Sequence, residues 1–232
     1  MYSVEMAKPR ESVSRKSSAK TSPKTTKAAT TANRKTSNRK TAKRKTVQVL
    51  SSKVVHIAPV FQVTTDEVIE PSGVKVRRDI IRHPGSVVIL ALDERKLKPS
   101  VLLIRQYRYA ADREMWELPA GRIDDGEDAL TAAKRELAEE TGYSASEWKP
   151  ALYYYSSPGF LDETMSIFAA RNLRKGKASP EEDEFIACKL VPLAIAVRWV
   201  MSGKVQDGKA IAGVLWAAQK FHILENGKTG RK

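Results

Sequence analysis

Cysteine is almost absent from this chain of 232 residues. Cys188 stands alone, so no disulfide can form within the chain; that suits a reducing compartment, and the cytoplasm is the expected location. Its setting, FIACKLV, is an apolar strand-like run in which a buried structural thiol is expected rather than a nucleophile. Long apolar runs are missing as well. The longest, VVILAL at 87–92, falls far short of the roughly 20 residues that cross a bilayer, so no membrane association is expected. Histidine is scarce: His56, His83 and His222 are isolated, and neither Ser157 nor Thr164 has a histidine partner in motif. A Ser-His-Asp mechanism therefore has no support.

Acidic and large apolar residues are scarce at one end only. Residues 1–48 hold 14 Lys and Arg against Glu5 and Glu11, a net charge of +12, so only +2 of the formal +14 belongs to the rest. Built from Lys, Arg, Ser, Thr and Ala, this tail cannot bury enough surface to offset its ordering entropy and is expected to be disordered. A five-residue unit recurs in it as NRKTS, NRKTA and KRKTV between Asn33 and Val47, spacing paired cations along the chain. That suits non-specific, salt-dependent contact with nucleic-acid phosphates, while the lack of aromatic residues between the cations argues against base stacking. A solubilising extension fits the composition equally well. An organelle transit peptide fits it less well, because Lys dominates and no amphipathic stripe is present.

From residue 49 the pattern is that of a folded α/β domain. SSKVVHIAPVFQVTTDEVIEP and GVKVRRDIIRH read as strands around the PSG turn at 71–73, followed by strands in GSVVILAL and VLLIRQYRY. PALYYYSS, TMSIFAAR and EFIACKLV supply more. Helical spacing of apolar residues predicts helices over 128–141, 192–202 and 209–223.

The first of these helices carries an unusual crowding of charge. WELPAG leads in as a short strand, RIDDGE is a loop, and Gly142 supplies the stop. At 100° per residue Glu136, Glu139 and Glu140 fall on one face beside the apolar strip of Leu130, Ala133 and Leu137. Like charges at this spacing weaken a helix by a few tenths of a kcal/mol per pair. A hard divalent cation such as Mg²⁺ or Mn²⁺ would turn the repulsion into coordination, and the alternative on RELAEE alone is a solvated acidic face.

The whole segment decides between them. It reads G-x5-E-x7-R-E-U-x-E-E-x-G-U, with U apolar or aromatic, on Gly121, Glu127, Arg135, Glu136, Leu137, Glu139, Glu140, Gly142 and Tyr143. The chain here resembles the Nudix hydrolases, whose full signature this is. The resemblance implies an α/β/α sandwich with a mixed sheet. It makes Glu136, Glu139 and Glu140 ligands of Mg²⁺ or Mn²⁺ together with the Ala120 carbonyl, and counts Glu139 with the chemistry as well. Glu127 and Arg135 are expected to brace the loop against the helix.

The flanks IRQYRYA, WELPAG and SSPGFLDETM, with Pro158 fifteen residues past Tyr143, look like the ADP-ribose pyrophosphatase branch. This implies hydrolysis of ADP-ribose or a related nucleoside diphosphate sugar to AMP, or another NMP, and a sugar phosphate. Another nucleotide substrate, or a nucleic-acid-associated role for the tail, stands as the alternative. Arg105 and Arg108 are an odd number apart on a strand and cannot share a face, so one of them is structural. The resemblance favours Arg108 as a substrate contact, with Arg78 as a second, and makes Glu163 the catalytic base, with Asp162 its rival; Glu117 is expected in the substrate site, holding an arginine or a substrate hydroxyl. It also implies a homodimer built by residues 49–84, ahead of a hydrolase domain over 85–224 and behind the tail of 1–48.

Overall fold

Val87–Leu92 is apolar on both faces, and a strand of that kind must be covered from two sides. The computed structural model describes residues 46–95, 98–179 and 186–223, so the tail expected to be disordered over 1–48 lies outside the described residues except for 46–48, of which Gln48 already belongs to a strand. Strands β1 (Gln48–Ile57), β2 (Gln62–Ile69) and β3 (Lys75–Arg82) form an antiparallel three-stranded sheet. Next come β4 (Ser86–Asp93), β5 (Ser100–Arg108), β6 (Arg113–Glu117), β7 (Ala120–Arg122), helix α1 (Ala129–Thr141), β8 (Tyr143–Tyr155), β9 (Thr164–Lys175) and β10 (Ala187–Pro192). Helices α2 (Leu193–Met201) and α3 (Gly208–Lys220) end the described chain.

The second sheet has the order β10-β5-β4-β9-β8 and is mixed, since β4 and β9 run parallel. Val88, Leu90 and Leu92 of β4 point to a core shared with α2 and α3. Val87, Ile89 and Ala91 point to a second core under α1. The arrangement is the expected α/β/α sandwich with added N-terminal strands.

One irregularity positions the site. β4 pairs with β7 at its start and with β5 only at its end, while β6 stays with β5. The sheet is therefore split between Glu117, the last residue of β6, and Ala120, the first of β7, and that split opens beside the carboxylates of α1.

Two expectations are corrected. β8 runs for 13 residues and begins seven residues ahead of the PALYYYSS segment; Pro150 is tolerated inside it because β8 is an edge strand with a bulge just beyond. Cys188 is exposed, not buried, because β10 is the opposite edge of the sheet.

Candidate active site

Helix α1 is fixed at both ends by its own sequence. The Asp128 carboxylate accepts the backbone N–H groups of Leu130 and Thr131, at 3.0 and 3.2 Å. Gly142 closes it with φ +70°, where a Cβ would meet the Ala178 nitrogen at 2.5 Å, so the cap needs glycine. Ala132, Ala133 and Leu137 are buried under the sheet, which turns the neighbouring carboxylates toward β7. Glu140, 4% exposed, accepts the Ala120 N–H at 3.1 Å. Glu136 is pressed on Gly121, where a Cβ would lie 2.0 Å from its carboxylate, so this position too excludes a side chain. Glu139 is half exposed on the same face.

Arg135 relieves the crowding. Its Nη1 donates to Glu136 at 2.8 Å and to Glu139 at 3.1 Å, while Nε and Nη2 donate to Glu127 at 3.2 and 3.0 Å and Nη2 to the Arg122 carbonyl at 3.1 Å. The loop is thus braced on the helix through Glu127, as expected. Hydrogen bonding from Arg135 holds the Glu127 carboxyl below its ordinary value, and the bond to Glu127 foremost raises the guanidinium further. Among the described residues no three acidic, His or Cys groups are gathered at metal-ligand distance, and Arg135 engages two of the three carboxylates. The donor set still fits a hard divalent ion, since Glu136 and Glu140 sit against the Ala120–Gly121 backbone with Glu139 on the same helix face, and every donor is oxygen.

Across the split, Arg108 and Glu117 form a two-pronged pair, Nε to Oε1 and Nη2 to Oε2, both at 2.8 Å. Glu117 is 1% exposed and also accepts Lys209 Nζ at 2.5 Å; that ammonium reaches Asp207 at 2.9 Å. Burial alone would raise the Glu117 carboxyl, but Arg108 and Lys209 outweigh it and leave it below the ordinary value. Burial does raise Asp207, with Lys209 opposing it. The Arg108 Nη1 edge has no hydrogen bond among the described residues, so it is free to meet a substrate oxygen. Arg105 lies on the other face, paired with Glu114 and stacked near Trp116, which makes it the structural arginine of the two.

Glu163 sits at the end of the 156–163 loop. Ser86 Oγ donates to its Oε1 and Ser156 Oγ to its Oε2, each at 2.8 Å. His83 Nδ1 accepts the Gly85 N–H at 3.1 Å and lies 3.7 Å from Glu163 Oε1. Asp162 faces away, bound to Arg82 and to the His83 N–H. Tyr154 has its phenol pushed up to about 12 by burial, with the charges of Asp207 and Glu163 adding to it.

Arg78 is not drawn into this set. It projects from mid-β3, half exposed, and pairs with Glu70 at 2.7 Å. Sequence reasoning missed Lys209, Asp207, Ser86, Ser156 and Arg82. Asp207 could have been found as the N-cap of α3, where it accepts the Ala210 N–H. No local pattern ties Lys209 to Glu117, 92 positions away.

The family described as NUDIX domain matches residues 82–212, more than half of the chain. The chain belongs to the Nudix family. An ADP-ribose pyrophosphatase of Mycobacterium tuberculosis is 36% identical over 171 residues, covering 72% of this chain and 81% of that protein. An ADP-ribose pyrophosphatase of Bacillus subtilis is 35% identical over 176 residues, covering 75% and 90%. A crystal structure described as that of an ADP compounds hydrolase superposes with a TM-score of 0.65 at 20% identity, covering 78% of this chain and 96% of that one, which speaks for the fold. As a Nudix hydrolase the chain is a divalent-metal enzyme, and no helix among the described residues is long and apolar enough to cross a membrane.

Proposed function

We propose that this Nudix hydrolase cleaves the diphosphate of ADP-ribose, or of a closely related nucleoside diphosphate sugar, to AMP, or the corresponding NMP, and a sugar phosphate. The observation that carries the reading is the seating of Glu136 and Glu140 on the Ala120–Gly121 backbone with Glu139 beside them, in a chain about one-third identical to two ADP-ribose pyrophosphatases. These carboxylates and the Ala120 carbonyl would hold Mg²⁺ or Mn²⁺. Bound there, such ions neutralise phosphate oxygens and lower the pKa of the attacking water.

The chain's own side chains supply the rest. Each Glu163 oxygen accepts one serine hydroxyl and keeps a second acceptor direction, so the carboxylate can take a proton from water without losing its orientation. The water oxygen bonds to one phosphorus as the bridging P–O bond breaks, and the proton passes to Glu163. Arg108 Nη1 contacts a diphosphate or ribose oxygen while Glu117 holds the guanidinium from behind. Arg78 acts only if a second copy brings a site to it.

The assembly we favour is a homodimer through β1–β3, in the cytoplasm. Every residue of β1 is exposed, including Val49, Val54, Val55 and Ile57, which is an apolar load that a lone sheet edge does not carry well. The +12 tail is assigned non-specific nucleic-acid contact on charge alone. The substrate reading is tested by incubating the protein and Mg²⁺ with ADP-ribose, other nucleoside diphosphate sugars, a dinucleotide cofactor and an oxidised nucleoside triphosphate. The highest kcat/KM is expected on ADP-ribose or another diphosphate sugar. A preference for the dinucleotide or the oxidised nucleotide would replace this reading.

A further inference from the structure

Arg82 ends β3 and joins three segments that are distant in sequence. Its Nε donates to Thr64 Oγ1 at 3.2 Å, its Nη2 to Asp66 Oδ2 at 2.5 Å and its Nη1 to Asp162 Oδ2 at 3.1 Å. Asp66 and Thr64 are buried, 4% and 6% exposed, and Ser52 Oγ donates to the other Asp66 oxygen at 2.6 Å, so the guanidinium is anchored in a finished polar cluster of the N-terminal sheet. On the far side Asp162 is held at three atoms by residues 81–83. Its N–H donates to the Ile81 carbonyl at 3.1 Å, Oδ1 accepts the His83 N–H at 2.8 Å, and Oδ2 accepts Arg82. Ile81 N–H donates to the Phe160 carbonyl at 2.8 Å, which adds a strand-like rung next to it.

The residue after Asp162 is Glu163. Adjacent Cα atoms are about 3.8 Å apart, so whatever fixes Asp162 sets where the Glu163 side chain begins. The two serines can hold the carboxylate only if it begins there. From this geometry we infer that Arg82 is a positioning residue for Glu163, and that the N-terminal sheet is thereby part of the catalytic apparatus of its own chain. Arg82 is needed because β3 and the loop exchange only a few backbone bonds, and a short loop held by those alone can shift by the ångström that a proton transfer does not tolerate. The inference rests on the reading of Glu163 as the base.

Five variants assayed with ADP-ribose and Mg²⁺ test it, each at a temperature where circular dichroism shows it folded. Glu163→Gln checks the underlying reading and should lower kcat by at least about a hundredfold. Arg82→Met should lower kcat by about ten- to a hundredfold with KM changed by less than about twofold, since Arg82 has no assigned contact with substrate. Asp162→Asn should act in the same direction, and the double variant should lose no more than the worse single one, because both break one link. Arg77→Met removes a cation from the opposite face of the same strand and should leave kcat unchanged. A full loss in Glu163→Gln with a normal kcat in both Arg82→Met and Asp162→Asn would overturn the positioning role while leaving the base in place. A normal kcat in Glu163→Gln would overturn both. Additive losses in the double variant, or an equal loss in Arg77→Met, would reduce Arg82 to a general structural part.

Discussion

Arg135 shows how three carboxylates share one helix face: one guanidinium nitrogen serves Glu136 and Glu139, and its other donors serve Glu127 and the Arg122 carbonyl. The charge that remains is what a divalent ion is drawn to. Glu139→Gln or Glu140→Gln is therefore expected to lower turnover by at least about a hundredfold with folding intact, each removing one of the negative ligands proposed above. Near-parental kcat at saturating Mg²⁺ would remove that residue from the site. Glu117 carries a second prediction. Its carboxyl is held below the ordinary value of 4.5, so its ionisation stabilises the fold above that value, and the contribution is lost as pH falls through the depressed one. Glu117→Gln should cost roughly 3 kcal/mol at neutral pH, because Arg108 and Lys209 lose their shared anion. The gap between parent and variant in thermal denaturation should narrow below about pH 4; a gap constant down to pH 3 would contradict the assignment. At this scale the sequence was legible wherever the constraint was local: strand alternation alone placed Arg105 and Arg108 on opposite faces. Arg82–Asp162 and Lys209–Glu117 span 80 and 92 positions, and no short-range period relates such residues.

Helix α1 is the element most open to sequence reading, expected over 128–141 and found over 129–141, because Asp128 and Gly142 are caps that act through their own backbone neighbours. β8 was the least. Its first half, YSASEWK, has mixed polarity, and only pairing with β9 makes it a strand. The 58–61 interruption between β1 and β2, closed by Ala58 N–H on the Phe61 carbonyl at 2.9 Å, was likewise hidden inside one continuous β-rich run. β1 itself, exposed along its length, leads to a prediction about assembly: light scattering at micromolar concentration should give the mass of a dimer. A monomer would refute the proposed interface and, with it, any part for Arg78 across it.

Charge divides the whole chain into two parts, +12 over residues 1–48 and +2 over the rest. Deleting residues 1–47 should leave ADP-ribose hydrolysis nearly unchanged, since every residue assigned to the site lies beyond them. The same deletion should abolish salt-sensitive binding to duplex DNA, because each phosphate neutralised by the tail contributes close to one unit to the log–log salt slope. Equal DNA affinity with and without the tail would end the nucleic-acid assignment. The central claim is that the face built by α1 and β7, with Glu163 as base, splits a diphosphate, and phosphorus NMR of ADP-ribose mixed with the protein tests it most directly. With Mg²⁺ present, the two diphosphate resonances should give way in equal measure to two phosphate monoesters, AMP and ribose 5-phosphate, and a chelator should stop the change. Persistence of the diphosphate signals with Mg²⁺, or release of free inorganic phosphate in their place, would contradict the account.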